Sequence, residues 1–378
     1  MANQAGAGRG GEGPAHRVVI AGGGTGGHLY PGIAVAREWL ARFPDAAISF
    51  AGTAKGIEAR VIPREGFALD FIRSGGLKGK SLIDRARGAW LVPLGLSDAW
   101  RLISSRRPDL VIGVGGYSSG PVVLVAALRG IPTMLLEQNA VPGLTNRLLA
   151  RVVRLAAVTF ASTAQFFGSK AFVSGNPVRP EFLSVEGRRP AAGDASTAAH
   201  VLVFGGSQGA HAINMAMVEA APQLAASGAR LRFVHQTGEH DVDMVRTGYS
   251  RAGLEVEVVP FLYNMGEQLE RADLIVCRAG ATTLAEITAA GKPAILIPLP
   301  TAADDHQRKN AEALAAAGGA EVLLQPEATG AALAGRILAL AADPDRRRQM
   351  GSAGRALARP DAARLIVDRA LGLIESRN

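Results

Sequence analysis

The residues of this chain best suited to chemistry sit in two glycine-rich runs, Gly22-Gly23-Gly24-Thr25-Gly26-Gly27-His28 and Gly205-Gly206-Ser207-Gln208-Gly209. Each directly follows a short apolar run, residues 18–21 and residues 201–204. A strand that ends in glycines and opens a helix lets backbone N–H groups approach an anion, and the helix N-terminus adds partial positive charge. Both turns are therefore suited to phosphate. His28 closes the first turn, where an imidazole at a cleft mouth can take a proton from a substrate hydroxyl. A histidine that only packs is the alternative.

Other polar groups follow strand-like runs in the same way. Residues 113–121 form a further glycine loop, read either as an anion nest or as a plain loop. Glu137-Gln138-Asn139 follows the run at residues 133–136, which places it on the carboxyl edge where open α/β sheets bind ligands. Residues 278–286 combine small side chains with Glu286, whose two oxygens suit ribose hydroxyls; a solvent-facing glutamate is the alternative. In Asp304-Asp305-His306-Gln307 the glutamine offers a donor and an acceptor to a sugar, and helix capping accounts for the aspartates better than a metal does.

Two familiar motifs are imitated. Gly22-x-Gly24-x-x-Gly27 has the spacing of a dinucleotide fingerprint, but the second strand ends Ala51-Gly52-Thr53 and supplies no acidic residue for a ribose. Gly205-x-Ser207-x-Gly209 resembles the nucleophile elbow of α/β-hydrolases, with Asp304, Asp305 and His306 downstream in the required order. That reading leaves the first glycine turn without a task. Ser207 is better read as a hydroxyl donor beside a phosphate at a helix N-terminus.

The elements that must position these groups are legible as β-rich runs alternating with helical patterns. The runs lie at residues 18–21, 48–51, 69–72, 110–114, 133–137 and 156–160, then at 201–204, 232–235, 256–259, 274–277, 294–297 and 321–324. Such alternation predicts parallel, doubly wound sheets, and 378 residues suffice for two domains. The first helix is expected to begin near Pro31 and another to span residues 307–317. The rhythm breaks at residues 176–180 and again at 187–200, which places a hinge there. The expected layout is a disordered tail over residues 1–15, a Rossmann-like domain over 16–178, a second over 179–355, and a C-terminal helix over 356–378 that packs back on the first domain.

Composition narrows the partners. Hydrophobic residues make up 48% of the chain and charged ones 20%, as in a globular protein. A single cysteine, Cys277, excludes an intrachain disulfide and a multi-cysteine metal site, in keeping with a reducing cytoplasm. The net charge of +8 favours anionic partners such as nucleotides or anionic lipid. Nucleic acid is disfavoured because basic residues are scattered and no aromatics interleave with them. No apolar run approaches the ~18 residues of a spanning helix, and residues 1–15 lack the apolar stretch of a secretory signal.

Taken in order, seven motifs resemble the MurG family of GT-B glycosyltransferases: Gly23-Gly24-Thr25-Gly26-Gly27-His28, Gly115-Gly116-Tyr117, Glu137-Gln138-Asn139, Asn176-Pro177-Val178-Arg179, Gly205-Gly206-Ser207-Gln208-Gly209-Ala210, Cys277-Arg278-Ala279-Gly280-Ala281 and Asp305-His306-Gln307. The likeness covers nearly the whole chain after residue 15. It implies two Rossmann-like domains facing a cleft and transfer of N-acetylglucosamine from UDP-N-acetylglucosamine to undecaprenyl-pyrophosphoryl-MurNAc-pentapeptide, forming lipid II for peptidoglycan. Ser207 and Arg179 would then hold the diphosphate, and the backbone of Leu262 the uracil. Ala281, Thr282, Thr283, Leu284, Ala285 and Glu286 would wrap phosphate and ribose. Gln307 and Asn139 would meet the donor sugar, with Thr25, Gly26 and Gly27 reaching it from the opposite domain. Gly116, Tyr117 and Glu137 would face the acceptor.

For these substrates the expected mechanism is a single inverting displacement by the muramyl C4 hydroxyl, with His28 as base on account of its place at the end of the glycine turn, and with neither metal nor cofactor. Another glycolipid acceptor, or a nucleotide-sugar sensor without turnover, are the rival readings. Peripheral attachment to the cytoplasmic membrane face is also implied, and residues 77–92 mix basic and large apolar side chains as interfacial segments do.

Overall fold

The computed structural model describes residues 16–75, 82–183, 198–206, 208–302 and 305–376, the side chains of 82–90 and 181 excepted. Residues 1–15, 187–197 and 77–81, and with them the tail, much of the hinge and the start of the interfacial segment, lie outside the described residues.

Thirteen described strands form two sheets. The first contains β1 (Arg17–Gly22), β2 (Ala47–Gly52), β3 (Ala68–Phe71), β4 (Leu110–Gly115), β5 (Thr133–Glu137), β6 (Leu155–Val158) and β7 (Ala171–Val173), in the order β3-β2-β1-β4-β5-β6-β7. The second contains β8 (Ala199–Phe204), β9 (Leu231–Gln236), β10 (Val256–Val259), β11 (Leu274–Cys277), β12 (Ala294–Leu296) and β13 (Ala320–Val322), in the order β10-β9-β8-β11-β12-β13. Every pairing is parallel. Central strands such as β4 and β11 are buried along their length because helices cover both faces, so they read as continuous apolar runs instead of alternating ones. In each sheet the chain order reverses direction beside the first strand, and the loops after β1, β4, β8 and β11 open at that switch point.

Two elements differ from expectation. The edge strand β7 follows a one-turn 3-10 helix and is only three residues long, too short for a period to register. The first helix begins at Gly26, five residues before Pro31. Thr25 adopts extended geometry there, and its carbonyl accepts the N–H groups of His28 and Leu29. Proline therefore sits inside the helix and deprives the carbonyl of Gly27 of its i+4 donor. That carbonyl instead accepts the Thr282 hydroxyl, 2.7 Å away, from the second domain. At the other end of the chain, the helix Ala362–Glu375 buries Ile366, Val367 and Ala370 in the core of the first sheet, beside Trp39 and Val18.

The second domain encloses a polar chain in its core. His235 pairs through Nδ1 with the Tyr249 hydroxyl at 2.6 Å and through Nε2 with Asn214 Oδ1 at 3.1 Å. Burial pushes this imidazole down from its ordinary 6.5 to about 3. Between those values the unfolded chain binds a proton that the fold refuses. The stabilisation is thus complete above pH 6.5 and is lost as pH falls, at about 1.4 kcal/mol per pH unit. A His235→Gln variant is expected to show an acid limb of unfolding free energy flatter by roughly that slope. Parallel limbs in urea titrations across this range would contradict it.

Candidate active site

The switch-point loops of the two sheets meet across one cleft of about 1190 Å³. The first domain contributes Thr25, Gly26, Gly27 and His28 after β1, and Gln138 and Asn139 after β5. From the second come Gly205, Gly206, Gln208 and Gly209 after β8, Leu262 after β10, Ala281, Thr282, Thr283 and Glu286 after β11, and Gln307. Arg179, on the segment that crosses between the sheets, lines it too. Among the described residues no cluster of three histidine, cysteine, aspartate or glutamate side chains is arranged to hold a metal.

On the first-domain side the glycines serve close packing more than anion binding. Glu58, fully buried at the start of the helix Glu58–Arg64, accepts Gly24 N–H at 2.8 Å and both the N–H and the hydroxyl of Thr53, each at 2.8 Å. A Cβ at Gly23, Gly52 or Gly56 would overlap this side chain. The carboxylate therefore occupies the nest that the sequence assigns to phosphate, which leaves the helix N-terminus at Gly26 and Gly27 for a ligand. Gly116, at φ +81°, presses against the backbone of Gly23, where a Cβ would meet the carbonyl oxygen. Gly115, at φ +97° after an irregularity in the β1/β4 register, supports the His28 ring: a Cβ there would stand 2.7 Å from Nδ1 and 2.9 Å from Cε1.

His28 Nδ1 lies 3.2 Å from Gln138 Oε1, and Gln138 Nε2 donates to the carbonyl of Val114 at 3.1 Å. Of the three residues expected to face an acceptor, Gly116 and half-exposed Tyr117 lie outside the cleft lining, and Glu137 is buried. The Glu137 carboxylate accepts the backbone N–H groups of Asn139 and Gly143 and the side-chain amides of Asn139 and Asn146. Four donors leave it no lone pair directed at a ligand, and its task is to shape the loop that carries Asn139.

On the second-domain side, Ser207 lies outside the described residues; its neighbours Gly206 and Gly209 close a turn that Gln236 Nε2 fixes through the Gly206 carbonyl at 2.9 Å. The helix Ala281–Ala290 starts at Gly280 and presents Ala281, Thr282, Thr283 and Glu286 to the cleft, whereas Leu284 and Ala285 pack into the core on its other side. The Thr282 hydroxyl accepts from Asn176 Nδ2 at 3.1 Å while donating to Gly27, so one side chain ties both domains to the crossing segment. Arg179 donates to Glu286 at 3.1 Å, with its guanidinium between the rings of Tyr30 (4.1 Å) and Phe182 (4.4 Å). Gln307 Oε1 accepts the N–H of Leu299 at 3.0 Å, and Leu262 is buried between Phe261 and Tyr263. Asp305 stands at the N-cap of the helix His306–Ala316 in left-handed geometry, φ +55°, and its side chain makes no capping bond. The capping role expected of it is absent; Asp304 lies outside the described residues.

The Glycosyltransferase family 28 N-terminal domain matches residues 18–158, and the family's C-terminal domain matches residues 200–366. The chain belongs to glycosyltransferase family 28. Among its relatives in that family is the UDP-N-acetylglucosamine--N-acetylmuramyl-(pentapeptide) pyrophosphoryl-undecaprenol N-acetylglucosamine transferase of Pelobacter propionicus, 46% identical over 94% of this chain and 99% of the relative. The protein of the same name from Geobacter sulfurreducens is 47% identical over 93% of this chain and 97% of its own length. The crystal structure of Acinetobacter baumannii MurG superposes with a TM-score of 0.72 at 32% identity, covering 94% of this chain and 99% of that one.

Two cleft residues of this family 28 chain, Arg60 and Arg64, carry no local signal in the sequence. Arg60 and Arg64 of the helix Glu58–Arg64 stack over Phe261 (6.0 Å) and Tyr263 (4.4 Å) of the opposite domain, bridging the mouth. Arg278 donates to the carbonyls of Ile297 and Pro298 and to Gln325 Oε1, bracing the loop after β12; burial pushes its guanidinium below the ordinary arginine range. Gln138 in the cleft and Glu58 beneath the first glycine turn each meet a group far off in the chain, His28 at 110 residues and Gly24 at 34. A systematic signal existed only for Gln138, by its place beside Asn139 at a strand's carboxyl end.

Proposed function

We propose that this family 28 chain transfers N-acetylglucosamine from UDP-N-acetylglucosamine to the muramyl C4 hydroxyl of undecaprenyl-pyrophosphoryl-MurNAc-pentapeptide, forming lipid II. One observation carries the reading: His28 of the first domain and the helix N-terminus at Gly280 with Glu286 of the second face the same cleft. The relatives at 46% and 47% identity, which bear this activity in their names, supply the substrate pair.

The uracil lies against the backbone of Leu262, Glu286 accepts ribose hydroxyls, and Ser207 and Arg179 hold the diphosphate. N–H groups of Ala281, Thr282 and Thr283, unpaired at a helix start, take the charge that develops on departing UDP. Gln307, Asn139 and the turn Thr25-Gly26-Gly27 place the sugar. The C4 oxygen then bonds to the anomeric carbon as the bond to the β-phosphate oxygen breaks. His28 takes the C4 proton, UDP leaves with the electron pair, and the α-linked donor becomes a β-linked product.

The protein works at the cytoplasmic face of the membrane, held peripherally. Among the described residues no helix is long and apolar enough to cross a bilayer. Phe71, Val92 and Trp100 are exposed near the helix Leu82–Arg106, on the domain that also carries residues 77–92.

Purified protein given UDP-N-acetylglucosamine and a lipid-linked muramyl-peptide analogue is expected to release UDP, and to do so poorly when UDP-glucose replaces the donor. Release with a different glycolipid only would overturn the acceptor. Glu286→Ala is expected to weaken UDP binding roughly 10-fold or more, the loss of a charge-assisted hydrogen bond; unchanged affinity by calorimetry would remove Glu286 from the donor site.

A further inference from the structure

Which nitrogen of His28 carries the proton is decided by the buried amide beside its ring. Gln138 is buried, at 3% exposure, just beyond the end of β5. Its amide has one orientation available: the Val114 carbonyl can only accept, so the amide nitrogen must face it, as it does at 3.1 Å. The amide oxygen is thereby aimed at His28 Nδ1, 3.2 Å away. An amide oxygen also only accepts, so the hydrogen between these atoms belongs to Nδ1. In the neutral ring that leaves the lone pair on Nε2.

The ring cannot escape this pairing by sliding. Gly115 lies against its Nδ1–Cε1 edge, and the absence of a Cβ there sets the depth at which the imidazole sits. Val114, Gly115 and Gln138 come from the adjacent strands β4 and β5 and their loops, so the seat is built on the sheet.

We infer that Gln138 is a positioning residue that holds His28 with Nδ1 protonated and Nε2 bare, so that the acceptor proton is taken at Nε2. The inference rests on His28 being the base. Once Nε2 is protonated, Gln138 still accepts from Nδ1, so proton uptake breaks no bond behind the ring. Being uncharged, the amide sets the tautomer without the rise in imidazole basicity that a carboxylate in its place would cause.

The test reads the imidazole nitrogen chemical shifts of isotope-labelled protein with the ring neutral. The wild-type ring is expected to show a protonated Nδ1 and an unprotonated Nε2, and Gln138→Leu to shift it toward the Nε2–H form that free imidazole side chains prefer in water. In the same variant kcat is expected to fall roughly 10- to 100-fold with the KM for UDP-N-acetylglucosamine little changed, part of the roughly 10²- to 10⁴-fold that a general base supplies. Gln138→Glu is expected to move the acid limb of the kcat/KM profile to higher pH. A wild-type ring protonated on Nε2, or a tautomer unaltered in Gln138→Leu, overturns the inference; the wild-type spectrum decides even if that variant does not fold. If the tautomer follows Gln138 while His28→Ala retains full turnover, the positioning stands and the base assignment fails.

Discussion

Replacing His28 with alanine is expected to lower kcat by roughly 10²- to 10⁴-fold, the range in which removal of a general base falls, while UDP binds with unaltered affinity. The second half follows from where the donor is held. The residues proposed for uracil, ribose and diphosphate lie on the second domain and the crossing segment, and the hydrogen bond of the His28 ring is to Gln138 of its own domain. The first half follows from the engagement of two first-domain carboxylates elsewhere. Glu137, the carboxylate at the end of β5, is consumed by four donors, and Glu58 by three. Turnover of His28→Ala measured under saturating donor, beside calorimetry with UDP, separates the two halves. Near-normal kcat would pass the proton to another group; weakened UDP binding would mean that the variant had disturbed the cleft as a whole.

Replacing Glu58 with alanine is expected to cost roughly 2–4 kcal/mol of stability. The Gly24 N–H and the N–H and hydroxyl of Thr53 would lose a shared acceptor in one step, and each buried donor left unmade costs about 1–3 kcal/mol unless water reaches it. Glu58→Gln offers a single acceptor oxygen, so either Gly24 or Thr53 would face an NH2 group, and its loss is expected to be about half as large. Urea titrations of the three proteins check the order wild type, Gln, Ala. Because the same carboxylate shapes the turn leading to Thr25, the Ala variant is also expected to lose transfer activity when folded. Equal midpoints for all three would show that the glycine turn holds itself without Glu58.

The contrast between these two residues shows what the sequence could disclose. His28 is visible because it follows five glycines in a seven-residue run at the end of an apolar strand, and every part of that signal is local. Glu58 is invisible because its three donors lie at residues 24 and 53, and only the pairing of β1 with β2 brings those together. The strands of both sheets were legible for the same local reason: buried parallel strands are continuous apolar runs with turn residues at their ends. The edge strand β7 is apolar too but only three residues long, too short to register. Pro31 misled the start of the first helix because a proline is most at home at the first helical position, whereas here the helix tolerates it where Thr282 satisfies the carbonyl left over.

The glycines themselves were read too narrowly. Local sequence marks them as residues able to approach an anion, but Gly115 and Gly116 are instead required by the approach of β1 to β4 and by the seat of the His28 ring. Composition could not separate those uses, since a Cβ is excluded in either case. Likewise Glu137 and Asn139 were grouped by adjacency, and the structure divides them: Glu137 is the last residue of β5 and holds the loop that follows, whereas Asn139 lies beyond the strand end, in that loop, and reaches the cleft.

In the proposed reaction one cleft joins a donor held by the second domain to an acceptor deprotonated by the first. Its most direct test uses UDP-N-acetylglucosamine labelled at the anomeric carbon, the lipid-linked muramyl-peptide acceptor and purified protein, with the anomeric coupling of the product read by NMR. The label is expected to arrive on the muramyl C4 oxygen in the β configuration, in step with UDP release. Label retained in the α configuration, or released as free N-acetylglucosamine while the acceptor stays unmodified, would contradict it.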